Sequence, residues 1–122
     1  MNTPDTITFD KPQDAQGDFA IPAEIDGCAV TSIGEEAFSG CSGLTSVTIP
    51  DSVTRIGEEA FDGCSGLTSV TIPDSVWHIG EFAFAACRGL KSVSLPKGFK
   101  ERLLHESVFA GCPSDMVITY RD

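Results

Sequence analysis

Apolar and hydroxyl side chains alternate in short runs along this chain. In Leu44-Thr-Ser-Val-Thr-Ile49, Leu44, Val47 and Ile49 point one way while Ser46 and Thr48 point the other, and Leu67-Thr-Ser-Val-Thr-Ile72 repeats the arrangement. Period-two alternation over a few residues predicts a strand with one buried and one wet face. Pro50, Pro73 and Pro96 follow these runs. Proline has no amide donor, so each strand is expected to stop there. Ahead of each strand lies a segment such as Gly34-Glu-Glu-Ala-Phe-Ser-Gly40, which reads as a short helical turn with glutamates at its positive end and a glycine able to close it.

These pieces belong to one unit. Residues 33–55 return as residues 56–78 with 20 of 23 positions identical. Residues 79–101 form a third copy that keeps the apolar positions Ile79, Phe84, Cys87, Leu90, Val93 and Leu95. A fourth starts at Leu104 after a two-residue insertion between Lys97 and Leu103, and Phe19-Ala-Ile-Pro22 opens a partial unit over 19–32. A period of this length marks a solenoid, in which each coil buries its apolar face only against its neighbours. The expected fold is therefore an α/β repeat solenoid, a right-handed coil of about 4–5 turns with one parallel strand and one short helical turn per repeat. Repeats begin near 33, 56, 79 and 104, and the solenoid spans 19–122. Residues 1–18, with four Asp and two Pro, are expected as an N-terminal cap or loose leader. Phe38, Phe61, Phe84 and Phe109 occupy one repeat position and should stack as an aromatic column in the core.

The pattern Leu-x-x-Val-x-Ile-Pro-x-x-Val-x-x-Ile-Gly-x-x-Ala-Phe-x-x-Cys, read from Leu44 to Cys64, resembles the BspA-like (Treponema pallidum-type) bacterial leucine-rich repeats. The resemblance covers roughly residues 19–120. It implies a leucine-rich-repeat coil in a cell-surface or secreted protein of bacteria or host-associated protists, one that adheres to host matrix proteins or other cells. It implies no catalytic residue. Where other leucine-rich repeats carry Asn after the strand this chain has Pro-Asp-Ser, so no asparagine ladder is expected.

Charge narrows the partners. The net charge is −10, and its distribution is uneven: residues 1–87 hold 14 acidic and 2 basic side chains, residues 88–122 hold 4 and 6. An acidic body repels phosphate backbones, so nucleic acid and anionic membrane surfaces are poor partners. No apolar run approaches the ~20 residues that span a bilayer, so membrane insertion is not expected. Met1-Asn-Thr-Pro-Asp lacks the basic and apolar regions of a signal peptide, so the chain is read as cytosolic or as lacking its leader.

Four of the five cysteines (Cys41, Cys64, Cys87 and Cys112) recur at spacings of 23, 23 and 25 and should stack as a column. Zinc ligands stand a few residues apart, so this spacing does not describe a metal site. Reduced core packing is the favoured reading, with disulfide formation between stacked thiols as the alternative. Cys28 lies outside the column and is expected to be the exposed, reactive thiol. Enzyme chemistry has little support. His78 and His105 are the only histidines, and neither stands beside a recognisable nucleophile motif. Glu35-Glu36 and Glu58-Glu59 recur with the repeat, and charge at a helix start accounts for them better than a carboxylate pair or a calcium site. No cofactor motif appears.

Two surfaces remain as candidates for binding. The outward strand residues form hydroxyl ladders, Ser46-Ser69-Ser92 and Thr48-Thr71-Ser94, continued by Thr119, on the presumed concave face. Such a strip suits an extended peptide or a glycan; the favoured reading is that solvent-facing strands carry Ser and Thr for their own sake. The third copy breaks the repeat at solvent positions. Trp77 and His78 replace Thr54 and Arg55, Phe82 replaces Glu59, and Arg88 and Lys91 replace Ser65 and Thr68. Exposed aromatics flanked by cations have the composition of a binding hot spot. The competing reading is that the insertion near Gly98 and Phe99 folds over these rings as a cap. The function expected is a non-enzymatic module that binds a protein, with a glycan as the lesser option; the alternative is a structural spacer or fragment of a longer repeat protein. A monomer or weak dimer is expected, because the strand Met116-Val-Ile-Thr-Tyr120 presents an edge.

Overall fold

A computed structural model describes residues 6–9, 17–25, 27–101 and 107–121. The repeat start at Leu104, His105 and most of the 1–18 segment lie outside the described residues. In chain order the elements are β1 (Thr6–Phe9), β2 (Gly17–Ala20), β3 (Glu24–Ile25), β4 (Cys28–Ile33), β5 (Leu44–Thr48), β6 (Arg55–Ile56), β7 (Ser69–Thr71), β8 (His78–Ile79), β9 (Ser92–Leu95), α1 (Gly98–Glu101) and β10 (Val117–Tyr120). They build a β-solenoid of about 4 turns with two walls. One wall has the order β1-β4-β6-β8, with β3 antiparallel to β4; the other has the order β2-β5-β7-β9-β10 and is parallel throughout.

The strands predicted from the Leu-x-x-Val-x-Ile runs form the second wall. Their register is set by the repeat itself: Val47 pairs with Val70 and Val70 with Val93, so inward residues meet inward residues along the coil axis. A slip of one residue would turn every apolar side chain to water. The same logic extends the wall to Phe19, in β2, and to Ile118, which pairs with Val93.

Among the described residues the middle coils carry two strands where one was expected. The second is only two residues long in the middle coils, at Arg55–Ile56 and His78–Ile79. It exists because Val53 and Ile56 are both buried, as are Val76 and Ile79, which presses this stretch against the core as a second wall. Thr54 and Gly57 donate their amides to Thr31 and Ile33 of the preceding coil at 2.8 Å, and Trp77 and Gly80 repeat this toward Thr54 and Ile56.

The predicted helical turn is a chain of β-turns. Ala37, Ser39 and Cys41 donate to the carbonyls three residues back, Gly34, Glu36 and Phe38, at 3.1 Å each. The alternate amides of Glu36, Phe38 and Gly40 point instead to Glu58, Ala60 and Asp62 in the next coil, at 2.9, 2.6 and 2.8 Å. A helix spends its interior amides within itself, whereas here every second one ties coil to coil. The geometry needs a left-handed residue at two places. Gly40, Gly63 and Gly111 occupy one of them, where Ala86 stands at φ 57°; Glu36, Glu59 and Phe82 occupy the other at φ 58–60°.

One core runs the length of the coil. Phe38, Phe61 and Phe84 stack with centroids 5.0 Å apart and planes within 4°, close to the ~4.8 Å spacing of neighbouring strands. Phe109 continues the stack at 5.7 Å, and Phe19 closes its other end edge-on at 5.6 Å and 65°. Each fully buried ring contributes about 1.5–3 kcal/mol of apolar burial. The cysteine column lies beside it, and none of the five cysteines is in a disulfide. Cys64, Cys87 and Cys112 donate to the carbonyls of Phe38, Phe61 and Phe84 at 3.1–3.2 Å.

Candidate functional site

The outer face of the second wall carries the hydroxyl strip in register. Ser46 pairs with Ser69 and Ser69 with Ser92; Thr71 pairs with Ser94 and Ser94 with Thr119. Thr48 stands exposed beside Ala20 of β2. Both ends of the strip are engaged by charge. Ser46 donates to the Asp18 carboxylate at 2.5 Å, and Arg121 donates to Ser94 at 2.7 Å. Between them lies a shallow depression of about 260 Å³ whose lining includes Ser46, Thr48, Asp51, Ser69, Thr71 and Pro73.

The first wall carries the aromatic departures. Arg55 pairs with Ser32 on one side and His78 on the other. With Glu35 and Glu58 these residues line a second depression of about 310 Å³ that mixes both signs of charge. Trp77, next to His78 in the chain, is 52% exposed. Its ring takes the Arg55 guanidinium 5.8 Å from the centroid and His78 at 5.7 Å. A cation over an indole is attracted by the ring quadrupole, worth about 0.5–1 kcal/mol at an exposed site.

Phe82 is 41% exposed in the turn that follows β8, and its amide donates to the Ser107 hydroxyl at 3.2 Å. In the two preceding coils this place belongs to Glu36 and Glu59. The hydrogen bond to Glu36 leads in raising the Glu59 pKa above the ordinary 4.5, followed by desolvation and the Glu36 charge. Phe82 ends that like-charge column. Arg88 and Lys91 are exposed on the approach to β9, in the other wall, so the departures are spread from β8 round to β9 rather than gathered in one patch. Of the segment expected as a cap, the described Phe99, in α1, is buried in the core, while Trp77 and Phe82 are exposed.

Sequence reasoning passed over Arg121. Its amide donates to Leu95 at 2.9 Å, and its guanidinium reaches back two coils to the carbonyl of Ile72 and, at 2.8 Å, to the carboxylate of Asp74. The signal was present, since Arg121 stands where the other units have proline. Cys28 and Cys112 are both half-buried. The Cys112 thiol is lowered from 9.0 to about 7, because the Cys87 thiol donates to its sulfur when it ionises, and this outweighs burial. Cys87 is pushed up by the same hydrogen bond and by burial. Among the described residues no group of His, Cys, Asp and Glu could hold a metal ion, and no helix is long and apolar enough to cross a membrane.

A parallel solenoid with this unit defines a class of repeat protein, and residues 21–120 match the family described as BspA type leucine rich repeat region (6 copies). The chain belongs to that family. It is similar to the crystal structure of a leucine-rich repeat protein from Bacteroides capillosus, at 30% identity and a TM-score of 0.73, covering 86% of this chain and 77% of that one. It is also similar to a leucine rich cell surface protein from Faecalibacterium prausnitzii, at 28% identity and a TM-score of 0.59, covering 89% of this chain. The chain spans 33% of the length of that second protein. A comparison with curated proteins finds no match.

Proposed function

We propose that this solenoid is a non-enzymatic protein-binding module of a surface-displayed or secreted bacterial protein, with an adhesive role. The observation that carries the reading is Trp77. A Trp side chain buries more apolar surface than almost any other, yet here it stays half in water between Arg55 and His78, where the preceding repeat has Thr54. A rigid aromatic beside a cation is what binding hot spots use. The cell-surface description of the Faecalibacterium prausnitzii protein supports the location. The alternative, a spacer with its binding site elsewhere, is consistent with the chain spanning a third of that protein.

Binding to a panel of host matrix proteins, measured by surface plasmon resonance with the parent chain and with Trp77→Thr and Phe82→Glu, separates the two. The module reading expects a loss of about tenfold or more for a partner that the parent binds. Unchanged binding removes the patch and leaves the spacer. The same reading allows a weak dimer through β10, the edge strand of its wall, where Val117 and Tyr120 are exposed. A concentration-independent monomer mass by light scattering removes that dimer.

A further inference from the structure

The chain carries its own ligand for a site that repeats. Just past β10 the Arg121 guanidinium meets three acceptors: Nη1 donates to the Ser94 hydroxyl at 2.7 Å, and Nη2 donates to the Ile72 carbonyl and, at 2.8 Å, to the Asp74 carboxylate. The Ile72 carbonyl is available because Pro96, the residue placed to donate to it in the next coil, has no N–H. Arg121 occupies the corresponding position one coil later, since Tyr120 pairs with Leu95.

Moving back one coil reproduces the acceptor set with different occupancy. Ile72, Asp74 and Ser94 become Ile49, Asp51 and Thr71; the last pair is in direct register. Pro73 now faces the Ile49 carbonyl and again brings no donor. The residue that would supply the side chain is Pro96, which cannot. No hydrogen bond or ion pair of the Asp51 carboxylate or the Thr71 hydroxyl is formed among the described residues. Ile49, Asp51, Thr71 and Pro73 all line the 260 Å³ depression on the hydroxyl face. One coil further back Ala23 replaces the aspartate, so the full set occurs here and at Arg121 alone.

We propose that Ile49 O, Asp51 and Thr71 form a binding site for an arginine side chain of a partner polypeptide. A planar guanidinium satisfies three acceptors with two nitrogens in fixed geometry, as Arg121 does, whereas an ammonium is a point donor. The net charge of residues 1–87, 14 acidic against 2 basic, favours approach of a cation. The site is on the opposite wall from Trp77. It gives the binding-module reading a partner chemistry, and it is tested without any natural partner.

The test is an amide-resolved NMR titration of the isotope-labelled chain with the capped tripeptide Gly-Arg-Gly and its lysine and citrulline counterparts. Saturable shifts at residues 49–52 and 69–72 are expected with the arginine peptide. Binding should be weaker with lysine and about tenfold weaker with citrulline, which keeps the shape and loses the charge. Asp51→Asn should weaken the arginine peptide about tenfold, and Asp74→Asn should leave its shifts at 49–52 in place. Equal shifts with citrulline, unchanged affinity in Asp51→Asn, or no saturable shift at any soluble concentration would overturn the proposal. None of these outcomes bears on Trp77, and failure of the Trp77 variants does not bear on this site.

Discussion

The thiol of Cys112 donates to the carbonyl of Phe84 at 3.1 Å, one coil back, as Cys87 does to Phe61 and Cys64 to Phe38. The column thus ends on its least buried member. Cys64 and Cys87 are fully buried, while Cys112 is half-buried with its pKa lowered to about 7. Thiolate, not thiol, is the nucleophile. Timed alkylation with iodoacetamide, read by peptide mass spectrometry, should modify Cys112 with a rate that rises around pH 7, and should leave Cys64 and Cys87 intact while the chain stays folded. Equal labelling of all four column thiols would mean that the coils open.

Ala86 sits at φ 57° where the neighbouring coils place Gly63 and Gly111. A side chain in the left-handed region costs about 1 kcal/mol. Ala86→Gly is therefore expected to raise unfolding stability by up to about 1 kcal/mol, the gain reduced by the looser unfolded chain that glycine brings. Urea denaturation checks it, and a loss of stability would show that the methyl packs better than its backbone strains.

Gly66 supplies the opposite case. A Cβ there would stand 2.5 Å from the Ser42 carbonyl oxygen and 3.1 Å from that of Leu44, both backbone atoms of the preceding coil. Neither can yield without parting the coils. Gly66→Ala should cost about 1–3 kcal/mol, as overpacking does, measured by the same denaturation. An unaffected midpoint would mean that the coils are spaced more loosely than this contact implies.

Glu59 gives a pH dependence of known sign. Its folded pKa is raised, chiefly by Glu36, so below the unfolded value near 4.5 both states are protonated and the group costs nothing. As pH climbs past 4.5 the unfolded chain releases the proton first, and stability falls until the folded carboxyl has ionised too. Glu59→Gln should therefore raise the melting temperature at pH 7 and lose that advantage below pH 4.5, and salt should narrow the gap because the pair is solvent-exposed. A Gln variant with the same melting temperature as its parent at pH 7 and low salt would remove the repulsion.

The strands of the second wall, their register and the Phe and Cys columns were legible in the repeat, because like positions 23 residues apart must stack when each coil buries its face on the next. Leu44, Val47 and Phe38 needed no tertiary information. The first wall was not legible, since two residues such as Arg55 and Ile56 carry no period. The helical turn was misread because Gly34–Gly40 has a helix-like composition, and only the neighbouring coil shows that its alternate amides are spent outside the segment. Of the candidate site, the solvent positions of Trp77 and Phe82 were suggested by the repeat, but the spread of the departures from β8 round to β9 was not.

By itself, then, the sequence determined that this is a stacked coil and which residues line its core, since periodic burial is a one-dimensional constraint. Which groups meet across coils was decided by the tertiary structure alone. Arg121 finds Ile72 and Asp74 from 49 and 47 residues away because a solenoid brings positions two repeats apart within the reach of one side chain, a distance that no pattern along the chain encodes.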